Sequence, residues 1–176
     1  MIGLEKFKYI TTFIFDVDGV LTDGRLLITE KGELLRSMNA KDGMAMKLAL
    51  NANYRIIIIT GGRSIGVVDR LKALGIEYVY SGIHNKIEKY EEIVALFDLN
   101  EEHILYMGDD LPDYPVMRRV GLPCSPNDAI QECKSISLYV SGKKGGDGAV
   151  RDVIEKVLKL NGDWPIQGNV EVEKLE

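Results

Sequence analysis

The sequence predicts a doubly wound, mostly parallel α/β sheet with a small β-hairpin flap and no large cap domain. Short apolar runs alternate with amphipathic stretches along most of the chain, the pattern of repeated βα units. The runs Phe13-Ile14-Phe15 and Ile56 to Ile59 are continuously apolar, as strands covered on both faces are. Three such runs lead directly into residues that carry chemistry: Asp16 and Asp18, then Thr60, then Asp109 and Asp110. In open α/β sheets ligands bind beyond the carboxyl ends of the strands, so one crevice would collect all three groups.

Tyr9 to Phe15 reads as the first strand, on its aromatic and β-branched content. Residues 25 to 38 read as a hairpin. Leu26 and Ile28 alternate with polar neighbours, Glu30-Lys31-Gly32-Glu33 makes a turn, and Leu35 resumes the pattern. Asp42 is the expected N-cap or near-cap of a helix ending near Asn51. Ile56 to Ile59 is a strand. A helix from Ser64 to Leu74 follows, with Val67, Val68, Leu71 and Leu74 on one face and Gly75 as its stop. Ile76 to Tyr80 is a strand, Lys86 to Phe97 a helix and Ile104 to Met107 a strand. A short helix with Val116, Met117 and Val120 comes next. Leu122 to Cys124, a turn or helix from Pro126 to Cys133, and Ile136 to Val140 continue the alternation. Lys143 to Gly148 reads as a mobile loop, with Asp147 or a residue beside it as the candidate cap for the last helix, which carries Val150, Val153, Ile154, Val157 and Leu158. One domain is expected over residues 1–163, with a tail at 164–176 anchored by Trp164.

Composition narrows the class. The chain has 176 residues, 45% hydrophobic and 28% charged, which suits one globular domain with a good core. The formal net charge is -5 and no basic tract is present, which argues against nucleic acid or an anionic membrane as partner. Cys124 and Cys133 suggest no disulfide framework. No segment reads as a signal peptide or a transmembrane run, so the cytoplasm is the expected location.

Asp16 and Asp18 stand at i and i+2 after a buried run. With Asp109, Asp110 and Asp113 they would place several like charges together, a situation that raises their pKa values and opposes folding. A hard divalent cation resolves it. Mg2+ takes oxygen ligands, often one or two carboxylates plus a substrate phosphate. The expected ligands are Asp16, Asp109 and the Asp18 backbone carbonyl, with Asp110 or Asp113 supporting them. A bend after Asp16 would also leave the Val17 carbonyl free to reorganise around a ligand. The substrate implied is a phosphate ester. Asp16 would attack phosphorus, and Asp18 would protonate the leaving oxygen and then activate water. Thr60 with the backbone of Gly61 and Gly62 would hold phosphoryl oxygens, and Lys86 would neutralise developing charge. Lone histidines His84 and His103 are not needed as bases. A receiver-like phosphoryl-transfer domain would use a similar acidic site, but Asp18 supplies a proton-transfer group suited to turnover.

The segments Asp16-Val17-Asp18-Gly19-Val20-Leu21-Thr22, Thr60-Gly61, Lys86 and Gly108-Asp109-Asp110-Leu111-Pro112-Asp113 resemble the four motifs of the haloacid dehalogenase (HAD) superfamily of phosphatases, over residues 8 to 160. The hairpin, the missing cap insertion, Asp42-Gly43, Arg70 and Gly145-Gly146-Asp147-Gly148-Ala149-Val150-Arg151 resemble the 3-deoxy-D-manno-octulosonate 8-phosphate (KDO 8-phosphate) phosphatases. That resemblance implies a Rossmann-like HAD core, Mg2+, a phosphorylated sugar acid of lipopolysaccharide synthesis, and a homotetramer whose neighbours cover each active site. It also implies a carboxylate-binding role for Arg70, matching the forked geometry of a guanidinium, and a substrate contact for Arg63. The family often has Arg directly after Thr-Gly, and a branch acting on nine-carbon sugar-acid 9-phosphates has Glu there. Here Gly62 occupies that position and Arg63 follows, so the nine-carbon substrate, or another small phosphorylated metabolite, stays open as the alternative.

Overall fold

A computed structural model describes residues 5–165 of the chain. Six parallel strands form the main sheet: β1 (Thr12–Phe15), β4 (Arg55–Thr60), β5 (Tyr78–Ser81), β6 (Ile104–Met107), β7 (Leu122–Ser125) and β8 (Tyr139–Val140). Their spatial order is β5-β4-β1-β6-β7-β8. The chain winds outward from β1 through β4 to β5, then returns to the other side of β1 and winds outward again. The reversal point of a doubly wound sheet therefore lies at β1, with β4 and β6 as its neighbours. Two short strands, β2 (Leu27–Ile28) and β3 (Leu34–Leu35), make the separate antiparallel hairpin.

The alternation of side chains along each strand divides the core into two layers. Phe13, Phe15, Ile56, Ile58, Leu105 and Met107 face α1 (Ala40–Asn51), α2 (Ile65–Ala73) and α6 (Ala149–Asn161). Ile14, Ile57, Ile59, Ile104 and Tyr106 face α3 (Lys86–Phe97), α4 (Tyr114–Met117) and α5 (Gln131–Ile136). Both faces are covered, which is why β1, β6 and β7 are buried at every position and why their sequences show no polar alternation. Among the described residues no helix is long and apolar enough to cross a membrane.

Several expected boundaries shift for physical reasons. The first strand starts at Thr12, because Phe7–Tyr9 form a 3-10 turn that buries Phe7 and exposes Tyr9. Helix α1 is capped by Asn39, whose side chain accepts from the Lys41 N–H, and Asp42 lies inside its first turn. Asp42 instead reaches α6, where Oδ1 accepts from the Arg151 N–H at 2.7 Å. This contact does for α6 what its own N-cap, Gly148, lacks the side chain to do. Of the expected candidates, it is the neighbour of Asp147 that takes the cap position. Ile136 ends α5 and is not part of β8. The loop expected to be mobile is tightly packed. A Cβ on Gly145 would stand 1.9 Å from the Gly19 carbonyl oxygen, and the Gly146 N–H donates to Val20 O at 3.0 Å. Trp164 is buried in the layer around α6, with the Arg151 guanidinium 5.2 Å from its ring centre. The rest of the expected tail, beyond residue 165, lies outside the described residues.

The hairpin forms within the expected span, with Leu27 paired to Leu35 and Ile28 to Leu34. Leu26, Leu27, Ile28, Leu34 and Leu35 are all exposed, so neither face of it is buried within the chain.

Candidate active site

The sheet order brings the three chemical strand ends together. Thr60 ends β4, Asp16 follows β1 and Asp109 follows β6 after one glycine, and these are adjacent strands. Asp16, Asp18, Thr60, Gly61, Gly62, Lys86, Asp109, Asp110 and Asp113 all line one cleft of about 430 Å³. Exposed His84 lines it as well.

The backbone after β1 is a tight turn in which the Val17 carbonyl accepts from the N–H groups of Val20, Leu21 and Thr22. That carbonyl is committed to the turn and cannot reorganise around a ligand. Among the described residues the Asp18 carbonyl accepts no hydrogen bond, which leaves its oxygen for another donor or a cation. Gly19 turns the chain at φ +93°, and a Cβ there would lie 2.0 Å from Asp109 Oδ2. Only glycine lets the two loops approach this closely.

Lys86, at the start of α3, sits between two carboxylates. Its Nζ is 2.8 Å from Asp16 Oδ1 and 2.7 Å from Asp113 Oδ1, and all three side chains are buried. Asp113 uses its full acceptor set. Oδ1 also accepts from the Tyr106 hydroxyl at 2.5 Å, and Oδ2 accepts from the backbone N–H groups of Asp109 (3.1 Å) and Asp110 (3.3 Å). It therefore fixes both the lysine and the loop that carries Asp109. Asp113 is the residue that orients Lys86. Asp110 is exposed, and its Oδ1 accepts from the Leu111 N–H. Asp113 occupies the N-cap position of α4 without making a capping bond.

Charge in the pocket is out of balance. Burial pushes the Asp16 carboxyl up to about 7, with Asp113 adding to the rise and Lys86 opposing it. Asp109 is pushed up to about 8, again by burial first and then by the charges of Asp16 and Asp113. Burial opposes the charge on Lys86, but the two flanking carboxylates outweigh it and hold the ammonium above its ordinary pKa. Asp109 Oδ1 is buried with no partner among the described residues. Oxygens of Asp16, Asp109 and Asp113 lie within 4.8 Å of one another. An all-oxygen donor set with excess negative charge and an unsatisfied buried oxygen fits a hard divalent cation. Since Asp113 is already saturated, Asp16 and Asp109 are the side chains left to hold it.

Thr60 is buried, and its Oγ1 accepts from the Gly62 N–H at 3.2 Å. Its own hydroxyl proton is left to donate into the cleft. Asp18 is not idle. Arg36, directly after the hairpin, grips it with Nε at 2.6 Å from Oδ1 and Nη2 at 3.1 Å from Oδ2. Nothing in the hairpin's sequence pattern marks Arg36. Tyr106 was more legible, because a hydroxyl in a continuous buried run needs a partner.

The two expected substrate arginines do not reach this cleft. Arg63 is exposed, with its chain over Gly82. Exposed Arg70 on α2 leans toward Gly43 of α1. Lys143 lines a separate cavity of about 540 Å³ beside α6. Arg151, Lys156 and Lys159 there pair with Asp152 and Glu155, leaving little charge uncommitted.

No protein-family model matches the chain. It is similar to the 3-deoxy-D-manno-octulosonate 8-phosphate phosphatase KdsC of Salmonella typhi, at 38% identity over 159 residues, which span 90% of this chain and 85% of that protein. Among solved structures, the 3-deoxy-D-manno-octulosonate 8-phosphate phosphatase of Yersinia pestis superposes with a TM-score of 0.89 at 35% identity, covering 92% of this chain and 87% of that one. The Moraxella catarrhalis enzyme of the same name, solved with a magnesium ion, a phosphate ion and a KDO molecule, gives 0.88 at 32% identity, covering 91% and 92%.

Proposed function

Since this chain belongs to the KDO 8-phosphate phosphatases of the HAD superfamily, we propose that it is a Mg2+-dependent phosphomonoesterase that removes phosphate from a KDO 8-phosphate-like sugar acid. One observation carries the reading most directly. Asp16 and Asp109 bring carboxylate oxygens together, among them the buried and unsatisfied Asp109 Oδ1, beside a lysine held by Asp113.

Asp16, Asp109 and the Asp18 carbonyl would hold the cation. Bound there, Mg2+ supplies positive charge against the acids and the phosphoryl oxygens. Lys86 occupies Asp16 Oδ1, which leaves Oδ2 to attack phosphorus in line. A bond forms between Oδ2 and phosphorus while the bond from phosphorus to the ester oxygen breaks. Asp18 gives its proton to that leaving oxygen. Asp18, now a carboxylate, takes a proton from a water whose oxygen attacks phosphorus. The Asp16–phosphorus bond breaks, and Asp16 and orthophosphate are released. The Thr60 hydroxyl, the Gly61 backbone and Lys86 steady the phosphoryl oxygens throughout.

The reading extends to a cytoplasmic homotetramer. The exposed apolar hairpin supports assembly, because five uncovered aliphatic side chains on one small element are a contact surface more than a solvent face. Arg70 does not line its own cleft, and in such an assembly it would meet the substrate carboxylate in a neighbour's site. Parallel hydrolysis of KDO 8-phosphate, a nine-carbon 9-phosphate and an aryl phosphate with Mg2+ tests the substrate. The eight-carbon ester should have the highest kcat/KM. Preference for the aryl phosphate would overturn the reading, and preference for the nine-carbon ester would move it to the sister branch.

A further inference from the structure

The hairpin's grip on Asp18 is not explained by either the fold or the mechanism. Among the described residues, Arg36 makes the only side-chain or backbone hydrogen bonds that link positions 27–36 to the rest of the chain. Its Nη1 also donates to Leu34 O at 3.1 Å, bracing the guanidinium against its own strand. The Arg36 side chain is 6% exposed while that of Asp18 is 33% exposed, so the guanidinium is packed in place and the carboxylate still opens onto the cleft. Gly62 makes the room for it. A Cβ there would come within 2.9 Å of Asp18 Oδ2 and 3.2 Å of Arg36 Nη2.

Resting on the phosphatase reading, we propose that Arg36 is a positioning residue for Asp18, one that serves the second half-reaction and must let go in the first. A guanidinium fork donates to both carboxylate oxygens at once and has no acceptor to offer an O–H group. The fork occupies both oxygens of Asp18 and fixes the plane of the group, the orientation suited to taking a proton from the attacking water. To hand on to the leaving oxygen the proton it took from water in the preceding hydrolysis, Asp18 must first free an oxygen from the fork. The fork's release therefore ties the hairpin to formation of the phosphoenzyme, and its return sets up hydrolysis.

Rapid acid quench during turnover of a phosphorylated sugar acid with Mg2+, with phosphoenzyme counted by mass spectrometry, separates the two halves. In Arg36→Gln and Arg36→Met, hydrolysis of the phosphoenzyme should slow roughly tenfold, the scale of one charge-assisted hydrogen bond. Its formation should not slow, so phosphoenzyme accumulates. Arg36→Lys keeps the charge without the fork and should fall between the neutral variants and the parent. A parental phosphoenzyme level in the neutral variants overturns the proposal, as does equal slowing of both halves. Should both neutral variants fail to fold, Arg36→Lys decides, and a parental level in it overturns the proposal. If the unaltered protein releases no phosphate at all, the phosphatase reading itself fails.

Discussion

Replacing Asp42 by Asn should stabilise this protein at neutral pH and do nothing near pH 4. Asp42 is 1% exposed. Its Oδ1 accepts from the Arg151 N–H, but its Oδ2 has no partner among the described residues. Burial pushes the carboxyl up from 3.8 to about 6, while the N–H groups of Arg151 and Gly148 pull it back only in part. Between those two values the folded protein holds a proton that the unfolded chain has released. Stability therefore falls as pH rises across this window, and above it the loss is complete. A gap of about two in pKa, at roughly 1.36 kcal/mol each, amounts to about 3 kcal/mol. Asn imitates the protonated acid, so Asp42→Asn should exceed the parent by about 3 kcal/mol at about pH 7.5 and match it near about pH 4. In a chain of this size that corresponds to a Tm gain of roughly 6–12 °C at the higher pH. Urea unfolding of both proteins at the two pH values measures it, and the difference between them cancels the other titrating groups. A variant less stable than the parent at neutral pH would refute the reasoning. It would mean that the charge at the start of α6 contributes more than its burial costs.

Asp113→Asn places an amide N–H₂ against either Lys86 or the Asp109 and Asp110 N–H groups. It should destabilise the fold by about 3 kcal/mol and lower kcat; a Tm within experimental error of the parent would contradict this. Mg2+ at about a hundredfold excess over Kd should stabilise the protein by about 2.7 kcal/mol, and Asp109→Asn should remove most of that shift in thermal denaturation. Gly145→Ala forces a methyl into the Gly19 carbonyl, and overpacking of this kind costs about 1–3 kcal/mol. Its activity should fall with its Tm, because Gly19 adjoins Asp18.

Much of the site was legible because the sheet does simple bookkeeping. Each strand delivers its last residue to the same edge, so Asp16, Thr60 and Asp109 could be brought together from sequence order and the reversal rule alone. Lys86 followed because it opens a helix after the next strand. Contacts between loops distant in sequence were not legible. Asp113 was expected only to support the metal ligands, and its clamp on Lys86 was not foreseen, because its partners come from α3 and β6. Asp42 lies near the start of its own helix as expected, but the N–H it satisfies belongs to another one. Arg36 carries no local signal, and its partner lies eighteen positions away. The hairpin itself was legible from its alternation and turn, but not its exposure. Both faces proved exposed, since what covers such an element need not lie in the same chain.

Acid quench of a single turnover, followed by peptide mapping, tests the nucleophile directly. A phosphoryl group on Asp16, absent when Asp16 is replaced by Asn, is the predicted result. Phosphate release with no label on Asp16, or undiminished turnover in Asp16→Asn, would contradict the account.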